Sequence, residues 1–400
     1  MTLEAGYAQD TITPSLERPV FLAGFGRNRK AESVHDDLYV RALALQHGET
    51  RLVVAALDLI GLGRRHCEEI ERRVNDQTPG SRLWLACTHT HHGPDTIGLW
   101  GPDLVTSGVD SAFMRTLKET VTEVSVKALG HVRPVSMRSI SVQVPGVAKN
   151  ARDPGILDEE LTCLQFCLDS AADEEARLAT WLVFPCHPEV LGDDNPQITS
   201  DYVDGLRREI EAQTLAPCLV TVGAIGGMMT PDVEAHSFSE AARIGRVLAG
   251  AALRALSAAP ARPVESLAYT RHAYAVPMAN PVFQMAMEAG LLPNLLDEQG
   301  TTITEANLLK LGPAWLFGVP GELLPQLGLA FKTQMKNAGA EVAAIVGLTN
   351  DELGYILPHE VYVFPDNPFD PGAHYEETMS VGPEAGPSLQ AALHALLADN

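Results

Sequence analysis

Residues 81–95, Ser-Arg-Leu-Trp-Leu-Ala-Cys-Thr-His-Thr-His-His-Gly-Pro-Asp, form the stretch around which the chain is organised, because an apolar run ends in three histidines. The run from Leu83 to Cys87 has the length and composition of a buried strand, and Gly-Pro follows it as a turn signal. Side chains two residues apart lie on the same face of a strand, so His89 and His91 are predicted to point into one cavity and Thr90 away from it.

The histidine spacing favours a metal site without defining one. Neutral imidazole is the commonest zinc ligand, and a second imidazole on the same face can act as another ligand, a proton shuttle or a transition-state donor. Spacing of two residues is less specific than the spacing of helical zinc motifs. A polar loop that is rich in histidine therefore stays open as the alternative.

Composition indicates a globular enzyme rather than a nucleic-acid or membrane protein. The 400 residues are 46% hydrophobic and 20% charged, which is ordinary for a globular chain. Because 29 basic residues stand against 51 acidic ones, the net charge of −22 repels phosphate backbones and anionic bilayers. We therefore expect no nucleic-acid partner.

Other features of the chain predict its organisation and compartment. Residues 1–400 contain no linker-like tract or internal repeat, which favours a single catalytic domain. The first residues lack the pattern of a signal peptide and no run approaches eighteen apolar residues, so we expect a cytoplasmic protein without an integral membrane segment. The six cysteines contain no Cys-x-x-Cys pair and are expected to be reduced core thiols.

The periodicity of the chain predicts a mixed α/β fold. Strands are predicted at 38–46, 51–59, 83–87, 134–144, 161–168, 177–184, 218–224, 315–319 and 342–348. Helices are predicted at 64–74, 111–129, 202–212, 240–258, 281–291, from about 322 and at 388–397. Consecutive strands without an intervening helix pair largely antiparallel, so we expect a mixed, partly antiparallel sheet core covered by helices.

The sequence resembles the catalytic domain of the neutral ceramidase family over nearly its whole length. The order and spacing of several motifs carry this resemblance: Gly-Tyr-Ala-Gln-Asp-Thr-Ile-Thr-Pro at 6–14, Ala-Gly-Phe-Gly at 23–26, Val-His-Asp-Asp-Leu at 34–38, Thr-His-Thr-His at 88–91, Thr-Ser-Asp-Tyr at 199–202, Pro-Gly-Glu at 320–322, Tyr355, and His-Tyr-Glu at 374–376. It implies a neutral-ceramidase-like catalytic fold and a metal-dependent hydrolase.

The resemblance implies a zinc ion held by His89, His187, Glu322 and Tyr355. Without it, His187 beside proline is an ordinary loop residue, and Glu322 is a first-turn carboxylate that the helix dipole favours. Two nitrogen and two oxygen ligands leave room for water or substrate, and a metal so held lowers the pKa of bound water and polarises an amide carbonyl.

The same resemblance assigns roles to three further residues. His91 is implied as the acid or base beside the metal, with a surface histidine as the alternative. Arg152 and Tyr375 are implied as donors to a developing oxyanion. Without the resemblance, Arg152 is a loop arginine paired with Asp153 or Asp158, and Tyr375 is a rim aromatic.

Three departures from the family pattern stand out. In Gly-Gly-Met-Met-Thr-Pro-Asp at 226–232, Thr230 takes the place of a family serine that is assigned as nucleophile or as a contact to the scissile amide. The sequence shows no base adjacent to Thr230, which favours attack by metal-activated water with Thr230 as a contact residue. Glu352 stands where ceramidases often have tyrosine, and the chain ends at residue 400 without their additional C-terminal β-domain.

These observations predict a ceramidase-like, zinc-dependent amidohydrolase that cleaves a linear N-acyl bond. Its substrate is expected to be a small N-acyl or lipid-like molecule, and a soluble compound other than ceramide is favoured. A zinc-dependent esterase or lactonase that uses the same site is the first alternative. A binding protein of the same fold that has lost catalysis is the second. The sequence assigns no oligomeric state.

Overall fold

The computed structural model describes residues 2–169, 176–292 and 296–398. In these ranges no helix combines the length and the apolar character that crossing a membrane requires. All six cysteines are free and buried, as the sequence predicts.

The described residues form nineteen strands and eight α-helices. The strands are β1 Glu4–Thr11, β2 Ser33–Val34, β3 Tyr39–His47, β4 Thr50–Leu57, β5 Ser81–Cys87, β6 Arg133–Gln143, β7 Ala148–Asn150, β8 Glu160–Leu168, β9 Arg177–Phe184, β10 Gln197–Ile198, β11 Cys218–Val222, β12 Met229–Pro231, β13 Arg262–Pro263, β14 Leu267–Pro277, β15 Thr301–Leu311, β16 Ala314–Gly318, β17 Glu322–Leu323, β18 Val342–Val346 and β19 Tyr355–Ile356. The helices are α1 Arg64–Gln77, α2 Ser111–Leu129, α3 Tyr202–Thr214, α4 Phe238–Ala258, α5 Pro281–Glu288, α6 Pro325–Asn337, α7 Tyr375–Thr378 and α8 Ala385–Ala398. Two 3₁₀ turns, His359–Val361 and Gly372–His374, lie in the proline-rich segment before α7.

The larger sheet has nine strands and is mixed. Its order is β11-β9-β8-β6-β1-β3-β4-β5, and β13 pairs with β6. The β3/β4 hairpin and the run of β6, β8 and β9 are antiparallel, whereas β4/β5 and β9/β11 are parallel. The predicted fold class, a mixed and partly antiparallel sheet covered by helices, is therefore confirmed.

A second, four-stranded sheet of order β14-β15-β16-β18 packs on the first. Trp84 and Trp181 of the large sheet join Leu309 and Leu316 of the small sheet in one buried cluster between the two. Helices α1 to α4 cover the outer face of the large sheet, and α6 and α8 cover that of the small one. The layers run helix, sheet, sheet, helix.

Backbone hydrogen bonds after β18 join strands of both sheets. Gly347 N donates to Val222 O at 2.9 Å, and Cys87 N donates to Leu348 O at 3.3 Å. The ends of β5 and β11 are thus tied to the turn that follows β18. The loops that leave these strands meet there and carry the candidate site.

One predicted element begins later than expected. The sequence places a helix from about Glu322, but α6 begins at Pro325 and Glu322 lies in the short strand β17. Proline is favoured in the first turn of a helix, because it lacks the N–H group that the helix leaves unpaired there. Glu322 is therefore not a first-turn helix carboxylate.

Candidate metal centre

His89 lies in the loop after β5 rather than on the strand itself. The strand ends at Cys87, and His89 has a φ of 65°, a left-handed conformation that is uncommon for a residue with a Cβ atom. Its backbone N–H donates to Leu59 O at 2.9 Å. The predicted reason for the shared direction of His89 and His91, one strand face, is wrong, although both residues line the same cavity.

A buried ion pair supports this loop from behind. The Arg207 guanidinium makes two hydrogen bonds to Asp58, at 2.6 and 2.8 Å, and both side chains are almost fully buried. The Thr88 hydroxyl donates to the same carboxylate at 3.2 Å. The residue before His89 is thereby anchored to β4 and α3.

The rings of His89 and His187 are both oriented by backbone carbonyls. Nδ1 of His89 lies 2.5 Å from Ile60 O, and Nδ1 of His187 lies 2.9 Å from Met229 O. Because a carbonyl oxygen only accepts, Nδ1 carries a proton in each ring, and Nε2 is the nitrogen that can offer a lone pair to a metal. Metal-binding histidines are usually oriented in this way.

Glu322 and Tyr355 meet through a short parallel pairing. β17 and β19 pair in a register that sets Glu322 opposite Tyr355, and both side chains are buried. The tyrosine hydroxyl lies 3.3 Å from Sδ of Met228. The backbone of Gly226 lies close to that of Glu322, because a Cβ atom on Gly226 would be 2.6 Å from Glu322 O. Only glycine fits at that position.

The nitrogen and oxygen atoms of this group have the separations expected for ligands of one ion. Oε2 of Glu322 lies 3.0 Å from Nε2 of His187 and 3.5 Å from Nε2 of His89. Tetrahedral ligands with bonds of about 2.0 Å lie about 3.3 Å apart. His89, His91 and His187 also offer ring nitrogens that all lie within 4.8 Å of one another, so a His cluster compatible with a metal is present.

Electrostatics at this cluster favour a cation. Burial opposes protonation of His187, but the carboxylates of Glu189 and Glu322 outweigh it and raise the pKa of His187 to about 9. Burial also opposes ionisation of Glu322, yet His89 and His187 hold its pKa well below the ordinary value. The same charges that favour a proton on His187 would favour a metal cation between these groups.

His91 faces the cluster from a tight aromatic enclosure. Its ring lies edge-on to Phe25 with the centroids 4.7 Å apart. A Cβ atom on Gly24, which has a φ of 98°, would lie 2.3 Å from Cγ of His91. Burial lowers the pKa of His91 to about 4. The ring is therefore neutral near pH 7 and able to accept a proton, and the alternative of a surface histidine is wrong.

Sequence reasoning missed Glu189, two residues after His187. Its Oε2 lies 3.2 Å from Nδ1 of His91. Burial opposes ionisation of Glu189, but His187, His91 and the nearby Thr230 hydroxyl lower its pKa. A potential base therefore does lie beside Thr230, contrary to the interpretation of the sequence. A carboxylate so close in sequence to a predicted ligand was the available signal.

Arg152 and Tyr375 are joined through α7. The Arg152 guanidinium bonds to Glu376 at 2.5 Å and to Glu377 at 2.8 and 3.1 Å, rather than to Asp153 or Asp158. Tyr375 lines the cavity with its ring centroid 6.1 Å from that of Tyr355. The structure thus brings Tyr375 to the cluster and directs Arg152 to the acidic residues of α7. The donor role of each stays a prediction.

A cavity of about 600 Å³ opens from the cluster. Much of its wall is apolar and rich in methionine, including Met228, Met278, Phe283, Met287, Leu292 and Met379. Its carboxylates are Glu189, Asp193, Glu322, Asp351 and Glu352, and no lysine or arginine stands among the described lining residues. Burial and the neighbouring Glu322 raise the pKa of Glu352 well above its ordinary value. The cavity suits an apolar group beside an uncharged or cationic one.

Two solved structures are similar to this chain along its whole length. Neutral ceramidase from Pseudomonas aeruginosa matches with a TM-score of 0.79 and 17% identity, over 100% of this chain and 74% of that chain. A ceramidase complexed with C2 matches with the same TM-score and coverage at 16% identity. No protein-family model and no curated protein sequence matches the chain. The motif-based resemblance is therefore confirmed as a neutral ceramidase-like fold.

Proposed function

We propose that this chain is a zinc-dependent hydrolase that cleaves a linear amide bond in a small N-acyl compound. One observation carries the proposal: the Nε2 atoms of His89 and His187 converge on one oxygen of Glu322, at 3.5 and 3.0 Å, while both Nδ1 atoms are held by backbone carbonyls. Tyr355 is the fourth proposed ligand, through its pairing with Glu322. The ceramidase-like fold supports a hydrolase, and the donor set of nitrogen and oxygen atoms suits zinc.

A zinc ion bound by these four side chains would lower the pKa of a water molecule and polarise the substrate carbonyl. His91 accepts the proton of the attacking water at Nε2 and later delivers it to the leaving nitrogen. Its ring lies against those of His89 and His187, with centroid separations of 5.0 and 5.5 Å. Tyr375 and the Thr230 hydroxyl position the scissile group.

The lining of the cavity supports the class of substrate. The apolar wall around Phe283 and Met287 accepts an acyl group, and flexible methionines tolerate different chain shapes. The carboxylates disfavour a substrate that carries its own carboxylate or phosphate beside the scissile bond. An N-acyl compound with an uncharged or cationic amine portion fits both the apolar wall and the carboxylates of the cavity.

Metal content and turnover test the proposal together. We expect about one zinc per chain by elemental mass spectrometry, lost in His89→Ala and His187→Ala, because each variant removes one of four ligands. His91→Ala should retain zinc and lose roughly a hundredfold in turnover. His131→Ala, at an exposed histidine, is the matched control and should change neither quantity.

Paired substrates decide between the proposed reaction and its alternatives. An amide and an ester with the same acyl group should both be tested, with release of the amine from the amide as the expected result. Hydrolysis of esters or lactones alone would indicate an esterase or lactonase. Stoichiometric zinc without turnover of any acyl substrate would indicate a binding protein and overturn the proposed function.

A further inference from the structure

Glu189 is a buried carboxylate placed between two side chains of the candidate site. It is 7% exposed, and its position follows from the strand end that delivers His187: Glu189 N donates to His187 O at 3.0 Å in a tight turn. Its Oε2 lies 3.2 Å from Nδ1 of His91. The Thr230 hydroxyl is close enough to this carboxylate to contribute to its lowered pKa.

The two nitrogens of His91 have different surroundings. Both nitrogens are buried and neither makes a hydrogen bond to a described residue, but Oε2 of Glu189 lies 3.2 Å from Nδ1. Nitrogens of the three site histidines lie within 4.8 Å of one another. With Nδ1 turned to the carboxylate, Nε2 is the nitrogen available to the cluster.

The packing around the His91 ring restricts its rotation away from Glu189. Gly24 and Phe25 pack against it, and the Arg29 guanidinium donates to His91 O at 3.1 Å. Only glycine fits at position 24, because the ring occupies the place of a Cβ atom. The orientation of His91 is therefore set by packing and its protonated nitrogen by the partner of Nδ1.

We propose that Glu189 is a positioning residue that holds the proton of His91 on Nδ1 and so directs the lone pair of Nε2 at the reacting water. This inference rests on the proposed function, in which His91 is the base. When the O–H bond of the water breaks, its proton binds Nε2 and the ring becomes an imidazolium. The Glu189 carboxylate, 3.2 Å from Nδ1, then offsets the new positive charge.

Nuclear magnetic resonance of the zinc-loaded protein tests the proposal without requiring turnover. Nitrogen-15 labelling of histidine and long-range proton–nitrogen correlation report which ring nitrogen carries the proton, and the spectrum of His91→Gln assigns the signal. We expect Nδ1–H and an unprotonated Nε2 in the parent protein. Glu189→Gln should yield a mixture of tautomers, because an amide can donate to Nδ1 as well as accept from it.

Kinetics of the same variants provide a second measurement. Glu189→Gln should retain its zinc, keep KM within about twofold and lose roughly a hundredfold in kcat, because the tautomer matters to proton transfer more than to binding. Asp194→Asn is the matched control, since it removes an exposed carboxylate that does not line the cavity and should leave tautomer and kcat unchanged.

Each contrary result has a definite meaning. A proton on Nε2 of His91 in the parent protein, or an unchanged tautomer in Glu189→Gln, would overturn the positioning role. Loss of zinc from Glu189→Gln would overturn it as well, since the carboxylate would then be a ligand. If no substrate is turned over, the proposed function fails, while the resonance experiment still decides the orientation of His91.

Discussion

The left-handed backbone conformation of His89, which orients its ring, is energetically unfavourable. A left-handed φ at a residue other than glycine costs roughly 1 to 3 kcal/mol, and such residues concentrate at functional sites. Hydrogen bonds that His89 donates to the carbonyl oxygens of Ile60 and Leu59 hold the residue in this conformation. The two bonds direct Nε2 toward Glu322, which an extended backbone at the end of β5 would not do.

Thr230 is the residue at which two mechanisms differ. We expect Thr230→Ala to retain measurable activity, reduced about ten- to a hundredfold, because attack by water requires only a positioning hydrogen bond there. Thr230→Ser keeps the hydroxyl and should stay close to the parent rate. Initial rates on one N-acyl substrate provide the measurement.

A covalent route through Thr230 makes the opposite prediction. Glu189 would then remove the hydroxyl proton, Thr230→Ala would be inactive, and an acyl ester would accumulate on the chain. Intact-mass measurement during turnover distinguishes the two routes. An acyl group found on Thr230 would refute attack by water even if zinc is bound as proposed.

Helix α7 is anchored to the rest of the protein in part by Arg152. It is a single turn that begins with Tyr375, and its Glu376 and Glu377 are 3% and 0% exposed. Arg152 binds both carboxylates from the segment beside β7. Since β7 pairs with β12, which contains Thr230, the arginine links two parts of the cavity wall.

Removing this arginine should destabilise the protein measurably. Arg152→Met leaves buried carboxylates without a counterion, which typically costs about 3 kcal/mol, and we expect a Tm lower by about 3 °C in a chain of this size. Lys149→Met is the control, because Lys149 and Asp232 lie 3.6 Å apart at 51% and 56% exposure and such surface pairs contribute little. Equal Tm values for both variants in differential scanning calorimetry would contradict the anchoring role.

The proposed ligands come from loops of both sheets, so a bound metal would tie the layers together. Zinc at a hundredfold excess over its Kd adds about 2.7 kcal/mol of stability, which corresponds to about 3 °C in Tm. We expect a chelator to lower Tm by a similar amount and zinc to restore it. His187→Ala should show no response to zinc, and a parent protein with the same lack of response would contradict a metal site.

The rise in Tm that zinc produces should be larger at higher pH. Glu189 and Glu322 raise the pKa of His187 to about 9, so a metal must displace a proton from this ring at lower pH. Because binding releases protons, apparent affinity rises as pH increases toward that value. The rise in Tm on adding zinc should therefore be larger at pH 8 than at pH 6, and the reverse order would exclude His187 as the titrating ligand.

Local patterns in the sequence were sufficient to predict most elements of the fold. Helix α2 spans Ser111–Leu129 as predicted, because Asp110 caps its first turn and Gly130 follows its last. The β3/β4 hairpin and the strands β6, β8 and β9 were likewise predicted from apolar periodicity. The long hairpin of β14 and β15 was missed, since β14 is largely exposed and lacks a clear apolar stripe.

The sequence by itself determined that the sheet is mixed, and its motifs predicted a set of metal ligands through the resemblance to ceramidases. Only the tertiary structure decided that Glu189 stands beside His91, that Arg152 binds Glu376, and that His89 turns in a left-handed loop. The physical reason is that periodicity and turn residues act over a few neighbours along the chain. Which strand ends meet, and which backbone carbonyl faces which ring, depends on the packing of two sheets against each other.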